Sequence, residues 1–139
     1  MSVEQTLVLL KPDTVARRLC GEILSRFERK GLNVVKLQMF GITPELARIH
    51  YAEHVGKPFY PDLEKYITSG SVIAIVLEGD EAISVVRKMI GATNGITAEA
   101  GTIRGDFSMS NRQNLVHASD NNVSAKREIE LFFPEKNTQ

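Results

Sequence analysis

Three histidines and a few widely separated cations are the residues of this chain best suited to covalent or phosphate chemistry. "HYAEH", His50 to His54, fits H-x-x-E-H, in which two helix-borne imidazoles share a zinc ion and the glutamate, here Glu53, serves as base. A catalytic zinc needs a third ligand. The one remaining histidine is His117, and matches to so short a pattern are frequent by chance. "NLVHASD", Asn114 to Asp120, places serine, histidine and aspartate together. In an extended segment, however, His117 and Ser119 would stand roughly 7 Å apart, beyond hydrogen-bond reach. No G-x-S-x-G elbow accompanies them. A serine hydrolase is therefore disfavoured.

Phosphate chemistry fits better, although neither G-x-x-x-x-G-K-[ST] nor G-x-G-x-x-G occurs. Lys11 closes an apolar run, Arg87 falls in the last turns of an expected helix, and Arg104 sits in "GTIRGD". Converging from distant positions, the three could clamp a polyphosphate, with Thr93 and Asn114 as neutral donors. Taken singly each reads as a surface charge, and Arg87 has a helix-dipole explanation as well. An unprotonated imidazole in such a pocket could itself accept a phosphoryl group. His117 is thus either a nucleophile or a structural histidine beside Leu115 and Val116.

The elements that must position these residues can be read from periodicity and turn chemistry. The chain has 139 residues, expected to form one domain over 1–139 with a core sufficient to fold unaided. Hydrophobic residues make up 42% and charged residues 24%, and 17 basic residues balance 17 acidic ones. Nothing global marks a nucleic-acid or membrane surface, so any anion site must be local. The lone Cys20 excludes an intramolecular disulfide and is compatible with a reducing compartment. The N-terminal apolar run is too short for a signal peptide or a membrane span, which makes a cytoplasmic location the expectation.

Thr6 to Lys11, stopped by Pro12, reads as a buried strand. Leu19, Ile23, Leu24 and Phe27 followed by Gly31 predict an amphipathic helix with a C′ glycine. Val34 to Phe40 predicts a second strand. Thr43 and Pro44 predict a capped helix start running into "HYAEH". Ser71 to Gly79 is a strand buried on both faces, and Asp80 is expected to cap a helix through Ile90. "EIELFF", Glu128 to Phe133, predicts a last strand, and "PEKNTQ" a frayed tail. The order is β-α-β-α-β-α-irregular-β, one sheet covered by helices. Gly91 to Asn122 lacks periodicity, and a stretch that long in a compact domain is usually functional.

"TLVLLKPD", "RFERKGL", "HYAEHVGKPFY", "TSGSVIAIVLEG", "GATN", "GTIRGDF", "NLVHASD" and "SAKREIELFF" occur in this order over Thr6 to Phe133. The chain closely resembles the nucleoside diphosphate kinases, with N-x-x-H-x-S-D after GT-[IL]-R as the most specific match. The resemblance implies an α+β, ferredoxin-like βαββαβ fold: a four-stranded antiparallel sheet with helices on one face and an irregular active-site loop region. It implies ping-pong transfer of a γ-phosphoryl group from ATP or another nucleoside triphosphate to a nucleoside diphosphate, through a phosphohistidine. His117 aligns with the nucleophile, Glu128 with the carboxylate orienting its ring, and Ser119 with the hydroxyl supporting that network. Lys11, Tyr51, Arg87, Thr93, Arg104 and Asn114 match contacts to phosphates and sugar, and Phe59 the aromatic that stacks on the base. Stacking reads no base edge, which suits an enzyme accepting many bases. Mg²⁺ carried in by the nucleotide is implied, with Asp120 the nearest matching carboxylate. Tyr51 then becomes the residue of interest inside "HYAEH", and His50 and His54 take surface or packing roles.

The match has departures: Ala118 for a more usual glycine, Gly95 and Ser71 for frequent prolines, and Asn111 for a frequent apolar residue. They bear on oligomer geometry, tetramer or hexamer, and on base preference. A nucleic-acid-binding module of the same fold is the alternative from another class. "RGDF" begins like an RNA-binding strand motif but places Asp106 where an aromatic is required. An inactive scaffold is disfavoured by the joint presence of His117, Lys11, Arg104, Asn114 and Glu128.

Overall fold

The computed structural model describes residues 2–135. Strand β1 (Val3–Leu10) leads into a short helix α1 (Pro12–Ala16) and then α2 (Cys20–Lys30). Strand β2 (Asn33–Gly41) is followed by α3 (Pro44–His50), a 3₁₀ turn at Ala52–His54, and α4 (Tyr60–Ile67). Then come β3 (Ser71–Asp80), α5 (Ala82–Ile90), α6 (Ile103–Phe107), β4 (Val116–Ala118) and α7 (Asn122–Phe132). The sheet order is β2-β3-β1-β4 with every pairing antiparallel. This is the expected ferredoxin-like βαββαβ arrangement, with α2 and α5 as its two crossing helices.

The alternation of β1 and β3 divides the core into two layers. Val8, Leu10, Ile75 and Leu77 face Ile23 and Phe27 of α2 and Val86 and Ile90 of α5. Leu7, Leu9, Val72, Ala74 and Val76 face the opposite way, against Ala47 of α3, Ile67 of α4 and Phe132 of α7. Helices therefore cover both faces, not one: α3, α4 and α7 are additions that roof the second face. Each of the valine, leucine, isoleucine and phenylalanine side chains contributes roughly 1.5–3 kcal/mol through burial, so neither layer is dispensable. The two-sided burial explains why β3 reads as an unbroken apolar run.

Local chemistry sets the ends. Thr43 caps α3 by accepting from the Leu46 amide at 3.1 Å, and Gly31 ends α2 with φ of 107°, as their sequence contexts predict. Asp80 does not cap α5. It closes β3, Glu81 takes the cap position, and the Glu4 carboxylate accepts from the Ile83 amide at 3.1 Å across the sheet end. The larger correction concerns Glu128 to Phe133, which is the end of α7 with its C-cap residue and not a strand. Ala125, Glu128 and Phe132 are its buried residues, a helical spacing, and Asn121 caps it by accepting from Ser124 N–H at 2.9 Å. The fourth strand is instead the three residues around His117. "RGDF" lies within α6, so it is not a strand motif. Of the expected frayed tail, Lys136 to Gln139 lie outside the described residues.

Candidate active site

Strand β4 begins from a strained turn. Leu115 is fully buried with φ of 75°, a conformation that L-residues with branched side chains rarely adopt. The Val116 amide donates back to the Asn114 carbonyl at 2.8 Å, closing a γ-turn around it. The turn is held by α1: the Asp13 carboxylate accepts from the Leu115 amide at 3.1 Å and from the Tyr66 hydroxyl. Lys11 N–H and the Thr14 hydroxyl both donate to the Leu115 carbonyl, at 2.8 and 2.6 Å. Strain of this kind persists only where its surroundings over-determine it. Asp13→Ala would orphan the amide and the phenol, at roughly 1–3 kcal/mol for each unmade bond. Chemical denaturation should show a stability loss of about 2–6 kcal/mol, with phosphoryl transfer falling alongside because β4 loses its anchor.

That anchor places His117 opposite Leu9 in the sheet, with its side chain toward α7. His117 Nε2 lies 2.9 Å from Glu128 Oε1, and the Ser119 hydroxyl donates to the same oxygen at 2.8 Å. Arg127 Nη2 stands 3.6 Å from the other carboxylate oxygen. Burial would raise the Glu128 pKa, but the hydrogen bond from His117 and that from Ser119 hold it below the ordinary value. An ionised carboxylate only accepts, so the proton sits on Nε2 and leaves the Nδ1 lone pair free. Serine and histidine thus converge on one carboxylate oxygen without forming a triad. Asp120 turns away to pair with Arg87 at 3.2 Å.

His50 packs edge-on against the His117 ring, centroids 4.8 Å apart, and against Phe132 at 5.2 Å. Burial, then the neighbouring His117, pushes its pKa down to about 3, so it is neutral. The helix-borne zinc pair expected of "HYAEH" does not form. Helix α3 stops at His50, the chain turns through a 3₁₀ segment, and the His54 ring goes instead to Phe59 at 5.4 Å.

Lys11, Arg87, Thr93, Arg104, Asn114 and His117 line one cavity of about 260 Å³, together with Tyr51, Glu128 and Asp120. Arg104 is buried and donates to three carbonyls: Asn114 at 3.2 Å, Gly91 at 3.0 Å and Val116 at 2.7 Å. Burial, then the Arg87 charge, lowers its pKa to about 10. Lys11 Nζ donates to Asn114 Oδ1 at 2.9 Å, while Asn114 Nδ2 donates to the Thr93 carbonyl at 3.0 Å. Arg87 donates to the Ala118 carbonyl at 3.1 Å. Cations from the end of β1, α5 and α6 thereby face one space, whose carboxylates are Glu128 beside His117, Asp120 paired with Arg87, and Glu53. Such an arrangement favours an anion carrying several negative charges.

Phe59 does not line that cavity. It lines an adjoining hollow of about 390 Å³ that shares Lys11, Tyr51, His54, Asn114 and His117 and adds Leu63, Asn111 and Arg112. Phe59 is 41% exposed, a flat apolar face open to solvent. The Tyr51 hydroxyl is buried without a hydrogen-bond partner among the described residues, and burial raises its pKa. Ala118 keeps a negative φ in β4, so replacing glycine there needs no special backbone. At Gly95, by contrast, a Cβ would meet the Ser108 carbonyl oxygen at 2.3 Å, so no side chain fits unless that loop moves.

Asp13, His50 and Arg127 belong to this neighbourhood and were not among the expected site residues. Asp13 was visible in "KPD" as a carboxylate beside Lys11, but its partner is 102 residues away. His50 was screened by the false zinc motif.

Residues 4–138 match the sequence profile of the family described as nucleoside diphosphate kinase. A nucleoside diphosphate kinase of Rhodopirellula baltica is 61% identical over 131 residues, covering 94% of this chain and 86% of the relative. One from Staphylothermus marinus is 58% identical, covering 96% and 94%. Among solved structures, the halophilic nucleoside diphosphate kinase of Halobacterium salinarum in complex with CDP superposes with a TM-score of 0.94 at 46% identity, covering 96% of this chain and 90% of the other. The apo enzyme of Encephalitozoon cuniculi superposes with a TM-score of 0.93 at 37% identity, covering 98% and 92%.

Proposed function

The chain belongs to the nucleoside diphosphate kinase family and moves a terminal phosphoryl group between nucleotides, and we propose that His117 carries it. The observation that supports this most is the 2.9 Å contact between His117 Nε2 and the buried Glu128 carboxylate, inside a cavity that Lys11, Arg87 and Arg104 also line. In the first half-reaction the Nδ1 lone pair forms the N–P bond as the bond from phosphorus to the β-phosphate oxygen breaks, releasing nucleoside diphosphate. The ring becomes positive, and Glu128 stabilises it through the Nε2 proton, with Ser119 holding the same oxygen. A second nucleoside diphosphate reverses the step. Lys11, Arg87 and Arg104 bear the phosphate charge, Asn114, Thr93 and Tyr51 bind phosphate and sugar oxygens, and Phe59 stacks on the base. Two nucleotides varied against each other should give parallel double-reciprocal lines. Intersecting lines would count against a covalent intermediate.

A nucleotide-borne divalent ion, Mg²⁺, fits this site. Among the described residues no oxygen-rich cage is present, and Asp120, with its side chain 69% exposed beside Arg87, is the carboxylate that would hold it. Bound there, the ion would offset phosphate charge. A single domain over the whole chain, cytoplasmic placement and a homo-oligomer complete the reading. Among the described residues no helix is long and apolar enough to cross a membrane. Edge strand β2 exposes Val35, Leu37 and Met39, an apolar row suited to a second copy.

Lys11 gives the activity a pH limit. It must be protonated to hold a phosphate, and burial, then the Arg104 charge, lowers its pKa to about 8, with Asp13 opposing. In the free enzyme kcat/KM should therefore fall as pH rises through about 8. Stability moves the other way. Between about 8 and 10.5 the unfolded chain keeps a proton that the folded one has lost, so stability rises across that window, by about 3 kcal/mol at most. Lys11→Arg should remove both slopes, read from a pH–rate profile and from melting against pH.

A further inference from the structure

His50 is only 5% exposed, yet among the described residues neither of its ring nitrogens has a hydrogen-bond partner. An orphaned polar group of that kind calls for a reason. It lines the cavity beside His117 and Glu128, and one ligand atom from each of the three lies within 4.8 Å of the others. We propose that His50, His117 and Glu128 form a site for one imidazole-seeking divalent ion of the zinc type, whose occupancy and the phosphorylation of His117 exclude one another. The second half of this rests on the proposed role of His117; the metal site itself does not.

Two imidazoles and a carboxylate suit zinc and disfavour magnesium, which takes oxygen ligands and keeps its water. Zinc bonds of about 2.0–2.1 Å put tetrahedral ligand atoms roughly 3.3 Å apart, so the widest gap must close by roughly 1.5 Å. Side-chain rotation can supply that, with the His117–Glu128 hydrogen bond giving way to shared coordination. Ser119 at 2.8 Å and Arg127 at 3.6 Å already hold the carboxylate from outside. Lys11, Arg87 and Arg104 face the same cavity and weaken its hold on a cation. An anion or water in the fourth position relieves part of that repulsion.

Exclusion follows from electron counting. A neutral imidazole has one nitrogen lone pair; the other nitrogen carries the proton. If zinc takes the lone pair of His117, at either nitrogen, none remains to attack phosphorus. Once Nδ1 carries the phosphoryl group and Nε2 the proton, none remains for zinc. Binding linkage then requires each event to oppose the other.

Nucleotide-free protein titrated with ZnCl₂ by calorimetry should bind one ion per chain. His50→Phe keeps the ring packing and removes a ligand, so zinc affinity should fall by more than the roughly 10–100-fold typical of losing an outer-sphere partner. Preloading wild type with zinc should block labelling from γ-labelled ATP, and removing the zinc with EDTA, then the EDTA by desalting into Mg²⁺ buffer, should restore it. A folded His50→Phe protein that binds zinc as wild type does would overturn the proposal. If that variant does not fold, the phosphorylated wild type decides: it should bind zinc far more weakly than the unphosphorylated form, and equal affinity would also overturn it. If zinc-free protein takes no label at all, the kinase assignment of His117 fails, while calorimetry still judges the metal site.

Discussion

Replacing His117 by asparagine should lower transfer between nucleotides by roughly 10⁴-fold or more, with little change in melting temperature. Asparagine keeps a donor for the Glu128 carboxylate, so the buried charge does not lose its partner, but it has no nucleophilic lone pair. Direct transfer cannot take over. It would need donor and acceptor polyphosphates together, and the cationic cavity of about 260 Å³ presents one set of charges. Coupled-assay turnover and a thermal melt on the same preparation separate loss of chemistry from loss of fold. A residual rate within about tenfold of wild type would place the chemistry elsewhere, because removing a covalent nucleophile costs far more than that.

The second large effect is expected at Arg104, for two reasons that can be separated. Its guanidinium donates to three backbone carbonyls, tying together the end of α5, the γ-turn and β4. A lysine keeps the charge but cannot span three acceptors in a fixed fork. Arg104→Lys should cost about 2–3 kcal/mol of stability, since carbonyls are left unmatched. It should also lower kcat/KM by roughly 10²-fold or more, because displaced cations no longer meet the charge developing on the phosphoryl oxygens. Arg104→Met removes the charge as well and should lose further activity at similar stability. If the two variants were equally active, Arg104 would be a brace for β4 with no share in binding phosphate.

The local signals that were legible were those carried by short-range chemistry. The Thr43–Pro44 start, the Gly31 stop and the unbroken apolar run of β3 each rest on residues within one turn or one strand. Glu128 shows the limit. "EIELFF" read alone is as apolar and branched as a strand, and what makes it helical is the cap at Asn121 and the packing of Ala125 and Phe132 against the second face of the sheet. Strand order and the two-sided roof were illegible locally, because they depend on which helices find which face. The site was legible as a set of residues, through the ordered motifs, but not as a geometry. Nothing near Asp13 in the chain announces that it holds the turn before His117, and nothing near His50 announces that its ring lies against the His117 ring. The zinc motif, already weak for want of a third ligand, fails for a related reason: its spacing means a shared face only if the helix continues, and α3 ends at its first histidine.

The measurement that bears most directly on the central claim is to mix wild type and His117→Asn with γ-labelled ATP and locate the label after proteolysis. Wild type should carry acid-labile, base-stable label on the peptide holding His117 and should release it to added GDP. The variant should carry none. Label that persists in the variant, or that maps to any other residue in wild type, would contradict the assignment of His117 as the phosphoryl carrier.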